Sequence, residues 1–106
     1  MREPSRGPMA RYCAESWDAS ELQRFLHEQG HGHLRVRRHG ALLVIESGLE
    51  DDPVRHARFR RVTVQYWTLE MATHTGQWQP TGLRAGLDEV RESLVRDFGW
   101  TLSPIV

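Results

Sequence analysis

From Leu34 to Glu46 the chain alternates apolar and polar residues on both sides of one glycine. That pattern admits little besides an antiparallel hairpin, because period-two alternation puts successive side chains on opposite faces of a strand. Leu34-Arg-Val-Arg-Arg38 runs out and Ala41-Leu-Leu-Val-Ile-Glu46 returns. Between them His39-Gly40 suits a two-residue turn, with glycine supplying the positive φ that such turns demand. The turn predicts Arg38 opposite Ala41, Val36 opposite Leu43 and Leu34 opposite Ile45. One face is then Leu34, Val36, Leu43 and Ile45, which must be covered. The other carries His33, Arg35 and Arg37 beside Leu42, Val44 and Glu46, and is free to meet a partner.

Two helical stripes can supply the cover. Asp18-Ala-Ser-Glu21 has capping-box spacing, and Trp17 and Leu22 stand at staple spacing around it. Leu22, Phe25 and Leu26 then form a stripe that stops at Gly30, which predicts a helix over 19–29. Leu87, Val90, Leu94, Val95 and Phe98 recur at helical spacing before Gly99. Asp88 and Glu89 at the start and Arg96 near the end suit the helix dipole. Between hairpin and second helix, 47–54 reads as a polar loop, with Gly48 and Pro53 as breakers. Residues 58–72 read as one strand, bulged near Gln65–Trp67 where the apolar phase flips. Gln77–Gln79 reads as a short fourth strand ending at Pro80, with Met71 opposite Trp78, and 100–106 as an extended tail.

The expected fold is therefore α+β in the order α-ββ-ββ-α, an antiparallel four-stranded sheet with two helices packed on one face. Its expected core is Leu22, Phe25, Leu26, Leu34, Val36, Leu43, Ile45, Val64, Val90, Leu94 and Phe98, with Trp17 and Trp100 at the core edges. The order resembles that of double-stranded RNA-binding domains in its elements alone. The last helix here opens Gly86-Leu-Asp-Glu-Val90, where that family carries a basic motif.

A chain of 106 residues makes one domain with a modest core. Pro4, Gly7 and Pro8 among charged neighbours make 1–14 a flexible arm and 15–106 the domain. Cys13 is the lone cysteine, which excludes an internal disulfide and suits a cytoplasmic protein. No apolar run approaches the ~18 residues of a membrane span. All fourteen basic side chains are arginine. A GC-rich coding bias accounts for the choice of arginine over lysine, but not for clustering. Arg35, Arg37, Arg38, Arg55, Arg58, Arg60 and Arg61 fall in one window, interleaved with His33, His39 and His56. Formal net charge is zero, which counts against a general polyanion binder.

No catalytic motif is present: no G-x-S-x-G, glycine-rich phosphate loop, H-E-x-x-H or C-x-x-C. His31 and His33 lack an evident third ligand, and Glu50-Asp51-Asp52 lacks calcium-loop spacing, so neither metal nor cofactor is expected. The expected function is non-enzymatic binding through the open sheet face, to a protein partner or a second copy. Leu42, Val44 and Trp67 would form its centre and Arg35, Arg37, Arg58, Arg60 and Arg61 its rim. The alternative is nucleic-acid binding by the same arginines, with aromatic stacking.

Overall fold

The computed structural model describes residues 12–103. Its elements are α1 (Ser16–Glu28), β1 (Arg35–His39), β2 (Leu42–Leu49), β3 (Asp52–Arg61), β4 (Trp67–Ala72), β5 (Trp78–Ala85) and α2 (Leu87–Phe98), followed by a 3-10 turn at Gly99–Leu102. The strands lie in chain order in one sheet, and each is antiparallel to its neighbours. The α+β class holds, but the sheet has five strands, not four.

The fifth strand comes from splitting the expected 58–72 strand. Val62–Tyr66 is a tight reversal, in which the Thr63 hydroxyl accepts from the backbone N–H groups of Gln65 and Tyr66. Local bonds of this kind divert the chain from a sheet ladder. The flip in apolar phase is thus a turn, not a bulge, and Val64 stands at its apex, 61% exposed instead of in the core. The expected loop at 47–54 is also mostly strand. β2 runs on to Leu49, a turn occupies Glu50-Asp51, and β3 begins at Asp52. β5 continues past Pro80 to Ala85, which an edge strand tolerates. It pairs Met71 with Gln79 and Ala72 with Trp78, one residue from the expected register.

In the first hairpin the turn is Gly40-Ala41, with Gly40 at φ 61°. Val36 therefore faces Ile45 and Arg38 faces Leu43. The partners are displaced by two residues, and an even displacement leaves every side chain on its expected face. α1 starts three residues early. Glu15 is the N-cap and Asp18 is N3 of a reciprocal capping box, with Asp18 Oδ2 accepting from the Glu15 N–H at 2.9 Å. Trp17 consequently sits in the first turn, 63% exposed, and not at the core edge.

Leu22 and Leu26 of α1 and Val90 and Leu94 of α2 share one buried cluster with Leu43, Ile45, Ala57, Phe59 and Leu69. Both helices thus cover the same sheet face. Arg91 of α2 lies over the ring of Phe25 in α1, 4.6 Å from its centroid. Val36, Phe25 and Phe98 flank the cluster half-buried. Leu102 of the 3-10 turn and Leu34 before β1 close it. The end of the expected arm is anchored: Ala14 is buried, and its N–H donates to Gly40 O. Residues 1–11 of that arm lie outside the described residues. Among the described residues no helix is long and apolar enough to cross a membrane.

Candidate functional site

The sheet face turned away from the helices is built from three cross-strand rows. The register aligns Arg35, Glu46 and Arg55; then Arg37, Val44, Arg58, Glu70 and Pro80; then His39, Leu42, Arg60, Thr68 and Arg84. Six arginines meet two glutamates there. Each glutamate is shared by two arginines. Glu46 Oε1 lies 3.6 Å from Arg35 Nε and 3.4 Å from Arg37 Nε. Glu70 accepts from Arg58 Nε and lies 3.6 Å from Arg60 Nη2. Buried Glu46 and half-buried Glu70 hold the guanidinium planes in place; Arg35 gives both Nη groups to Gly48 O and Leu49 O, while Arg37 and Arg60 keep part of their forks toward solvent. Glu46 Oε2 has no hydrogen-bond partner among the described residues.

Aromatic groups on this face are already capped. Arg58 lies 4.4 Å from the centroid of Trp78, and Arg84 lies 5.6 Å from that of Tyr66. Both outer edges of the sheet are blunted as well. On β1, the Val36 N–H is taken by Gln23 Oε1 of α1 at 2.9 Å. On β5, Pro80 removes a donor and Gly82, at φ 84°, sits where the ladder to β4 breaks register. The face is therefore the accessible broad surface of the sheet.

Arg35, Arg37, Arg58 and Arg60 lie together on it, as the alternation implies. Leu42 and Val44 share the face, but arginine and glutamate side chains border them, and Val44 is only 4% exposed. The expected apolar centre is therefore covered. Two expected members are elsewhere: Trp67 because of the reversal at 62–66, and Arg61 because it follows Arg60 in β3 and alternates onto the helix side. Trp67 opens β4 on the helix side, 3% exposed. Arg61 stacks over it at 5.5 Å and donates to Cys13 O at 3.0 Å and Val64 O at 2.9 Å. Arg38 donates to Ala14 O at 3.4 Å, so these two arginines fasten the entering chain. Sequence reasoning missed Glu70, Trp78 and Arg84, which reach the face only through the pairings of β4 and β5.

A second feature lies at the opposite end of the sheet from the Gly40 turn. A cleft of about 1110 Å³ opens between the start of β3, the β4–β5 turn and the 3-10 segment. Behind it His56 Nδ1 donates to Thr101 O at 2.9 Å, which leaves Nε2 to accept from the Ser47 hydroxyl at 2.8 Å. His33 Nε2 donates to Leu102 O at 2.5 Å, so two imidazoles clamp the 3-10 turn. The Ser47–His56 pair has the orientation of a nucleophile and base. Ser47 is buried and is not part of the cleft wall, so a substrate has no approach to its oxygen. Among the described residues no group of three metal-ligating side chains converges.

Burial, with help from the neighbouring His33 charge, holds His56 below the usual histidine range, against the raising effect of its bond to Thr101. Burial and the same neighbour lower His31. The unfolded chain therefore binds protons more readily than the folded one as pH falls through the ordinary value of 6.5. Stability fully present above that pH is lost progressively toward the lower folded value. The unfolding midpoint should drop between pH 8 and pH 5, and less steeply in His56→Gln, which retains a donor. Equal slopes by thermal unfolding would refute the assignment.

Compared with family models, curated proteins and solved structures, the chain matches none.

Proposed function

We propose that the chain is a small non-enzymatic binding module whose open sheet face docks on an acidic protein surface. The observation that carries the reading is the arrangement of Arg35, Arg37, Arg58 and Arg60 around two shared glutamates. Carboxylates in the sheet pre-order the guanidinium forks, so less side-chain entropy is lost when a partner carboxylate takes the remaining donors.

A protein partner is favoured over the other occupants for physical reasons. Face-to-face pairing of two copies would set arginine excess against arginine excess, which like-charge repulsion opposes. Nucleic-acid binding in single strands relies on free aromatic platforms, and here Trp78 and Tyr66 already carry arginines while Trp67 is buried. The covered Val44 also removes an apolar hot spot from the centre. Recognition is thus electrostatic in character, with fast, salt-sensitive association. The test is a titration with a decaglutamate peptide and, separately, a single-stranded oligonucleotide of equal charge. Resonances of Arg37, Arg58 and Arg60 should move with the peptide at low salt and return as salt rises. Response to the oligonucleotide alone would replace this reading with the nucleic-acid one.

A further inference from the structure

The sheet is split at one corner. Residues 52–55 of β3 pair with β2, from Leu49↔Asp52 to Glu46↔Arg55. Pairing with β4 begins only at Ala57↔Met71. The split starts where the register shifts between Ile45 and Glu46. His56 is left between Arg55 and Ala57 without a cross-strand partner, and its ring turns to Thr101. β4 cannot close the gap, because the chain reverses at once: Thr73 N–H donates to Gln77 O and Gly76 N–H donates to Thr73 O. The cleft occupies the space left over.

Backbone alternation identifies the groups that β3 offers to it. Arg61 N–H donates to Ala41 O, so 61, 59 and 57 direct their backbone groups toward β2. The extra residue at His56 resets the phase. Asp52 and Val54 then face β2, while Pro53 and Arg55 face away. The tight turn at Glu50-Asp51 gives the same answer, since its closing pair Leu49 and Asp52 must face each other. Pro53 confirms the phase, because proline has no N–H to give and sits where β2 requires none. Pro53 C=O and the N–H and C=O of Arg55 are therefore turned toward the cleft, where the β3–β4 ladder, which begins at Ala57↔Met71, gives them no partner.

We propose that this corner receives an extended segment of a partner protein, added as a strand beside Arg55 and carrying an apolar residue next to an acidic one. Strand addition to a free edge takes its affinity from main-chain bonds and its specificity from alternate side chains. On the helix side the added strand meets Val54, Met71, Phe98 and Trp100. Trp100 is 78% exposed, a large apolar ring left uncovered at the mouth of the cleft. The next residue of the strand turns to the opposite face, where Arg55 and Trp78 line the wall. Arg55 makes no ion pair among the described residues, whereas Arg58 and Arg60 share Glu70. Its fork is the one that a carboxylate at that position completes. This docking site goes beyond the proposed face and depends on Arg55 and Trp100, not on Arg35, Arg37, Arg58 and Arg60, so either can fail alone.

The test uses the full chain and two capped probes, acetyl-Ile-Asp-Val-Glu-amide and acetyl-Ile-Lys-Val-Lys-amide, followed by NMR. In the free chain the Arg55 amide should exchange with solvent as fast as a loop amide, while that of Phe59 is protected. The acidic probe should slow Arg55 exchange and shift the indole resonances of Trp78 and Trp100. It should bind about tenfold or more tightly than the basic probe, as expected of one charge-assisted contact. Arg55→Glu, a change at an exposed side chain, should reverse that ranking. Arg37→Glu/Arg60→Glu should leave it in place, which separates this site from the broad face. An Arg55 amide already protected in the free chain would mean that the chain itself or a second copy covers the edge, and overturns the proposal. So would an unchanged ranking in Arg55→Glu, or probe shifts confined to other residues.

Discussion

Phe59→Ala is expected to cost the fold about 3–5 kcal/mol. The residue sits on the central strand, fully buried, with Leu43 on one side and Leu69 on the other. Helical side chains from both α1 and α2 close over the same cluster. Removing the ring leaves a cavity at the point where neighbours are held on every side by sheet pairing, so little collapse can fill it. A domain of this size has only about 5–15 kcal/mol in total, so the variant should be near the limit of folding. Val64→Ala, in the exposed reversal, should change stability by less than about 0.5 kcal/mol. Urea unfolding monitored by tryptophan fluorescence measures both. Comparable losses in the two variants would mean that 58–72 runs as one strand with Val64 in the core.

The second large effect concerns the last described turn. Leu102→Ala should cost about 2–5 kcal/mol, and Trp100→Ala under about 0.5 kcal/mol. Two residues apart, these side chains have opposite fates. Leu102 is fully buried and Trp100 largely exposed. The cause is the 3-10 segment, which follows α2 directly and is gripped at Thr101 O by His56 and at Leu102 O by His33. That grip drives Leu102 inward and leaves the indole outside. A larger loss for Trp100→Ala than for Leu102→Ala would show that the turn docks the other way round.

These contrasts mark what the sequence discloses and what it hides. The helical stripes were legible because each depends on its own spacing: Leu22 and Leu26, Val90 and Leu94 are buried as their period requires. The hairpin faces were legible because alternation survives an even slip in register. Strand limits were not. Gly48, Pro53 and Pro80 are breakers by composition, yet they stand at a strand end, in a half-open ladder and on an edge, where the sheet makes no demand on them. Val62-Thr-Val-Gln-Tyr66 has the composition of a strand and turns because of one hydroxyl, that of Thr63. That hidden turn explains two displaced residues together, Val64 outside and Trp67 inside; Arg61 lies behind the sheet because it alternates with Arg60. On the open face, Arg35 and Arg37 follow from local alternation. Their counterparts Glu70 and Trp78 do not, because cross-strand neighbours on β4 and β5 are set by pairings that no local pattern carries.

The most direct measurement of the proposed function is the decaglutamate titration of the native chain beside Arg37→Glu/Arg60→Glu, read by NMR at low and physiological salt. The account predicts shifts along the three cross-strand rows of the open face in the native chain. It predicts weakening with salt, and loss of the response in the double variant, whose circular dichroism should keep the native signature although each reversal sets a new carboxylate near Glu46 or Glu70. A native chain whose open-face resonances stay fixed at low salt, or a double variant that binds as well as the native chain, would contradict it.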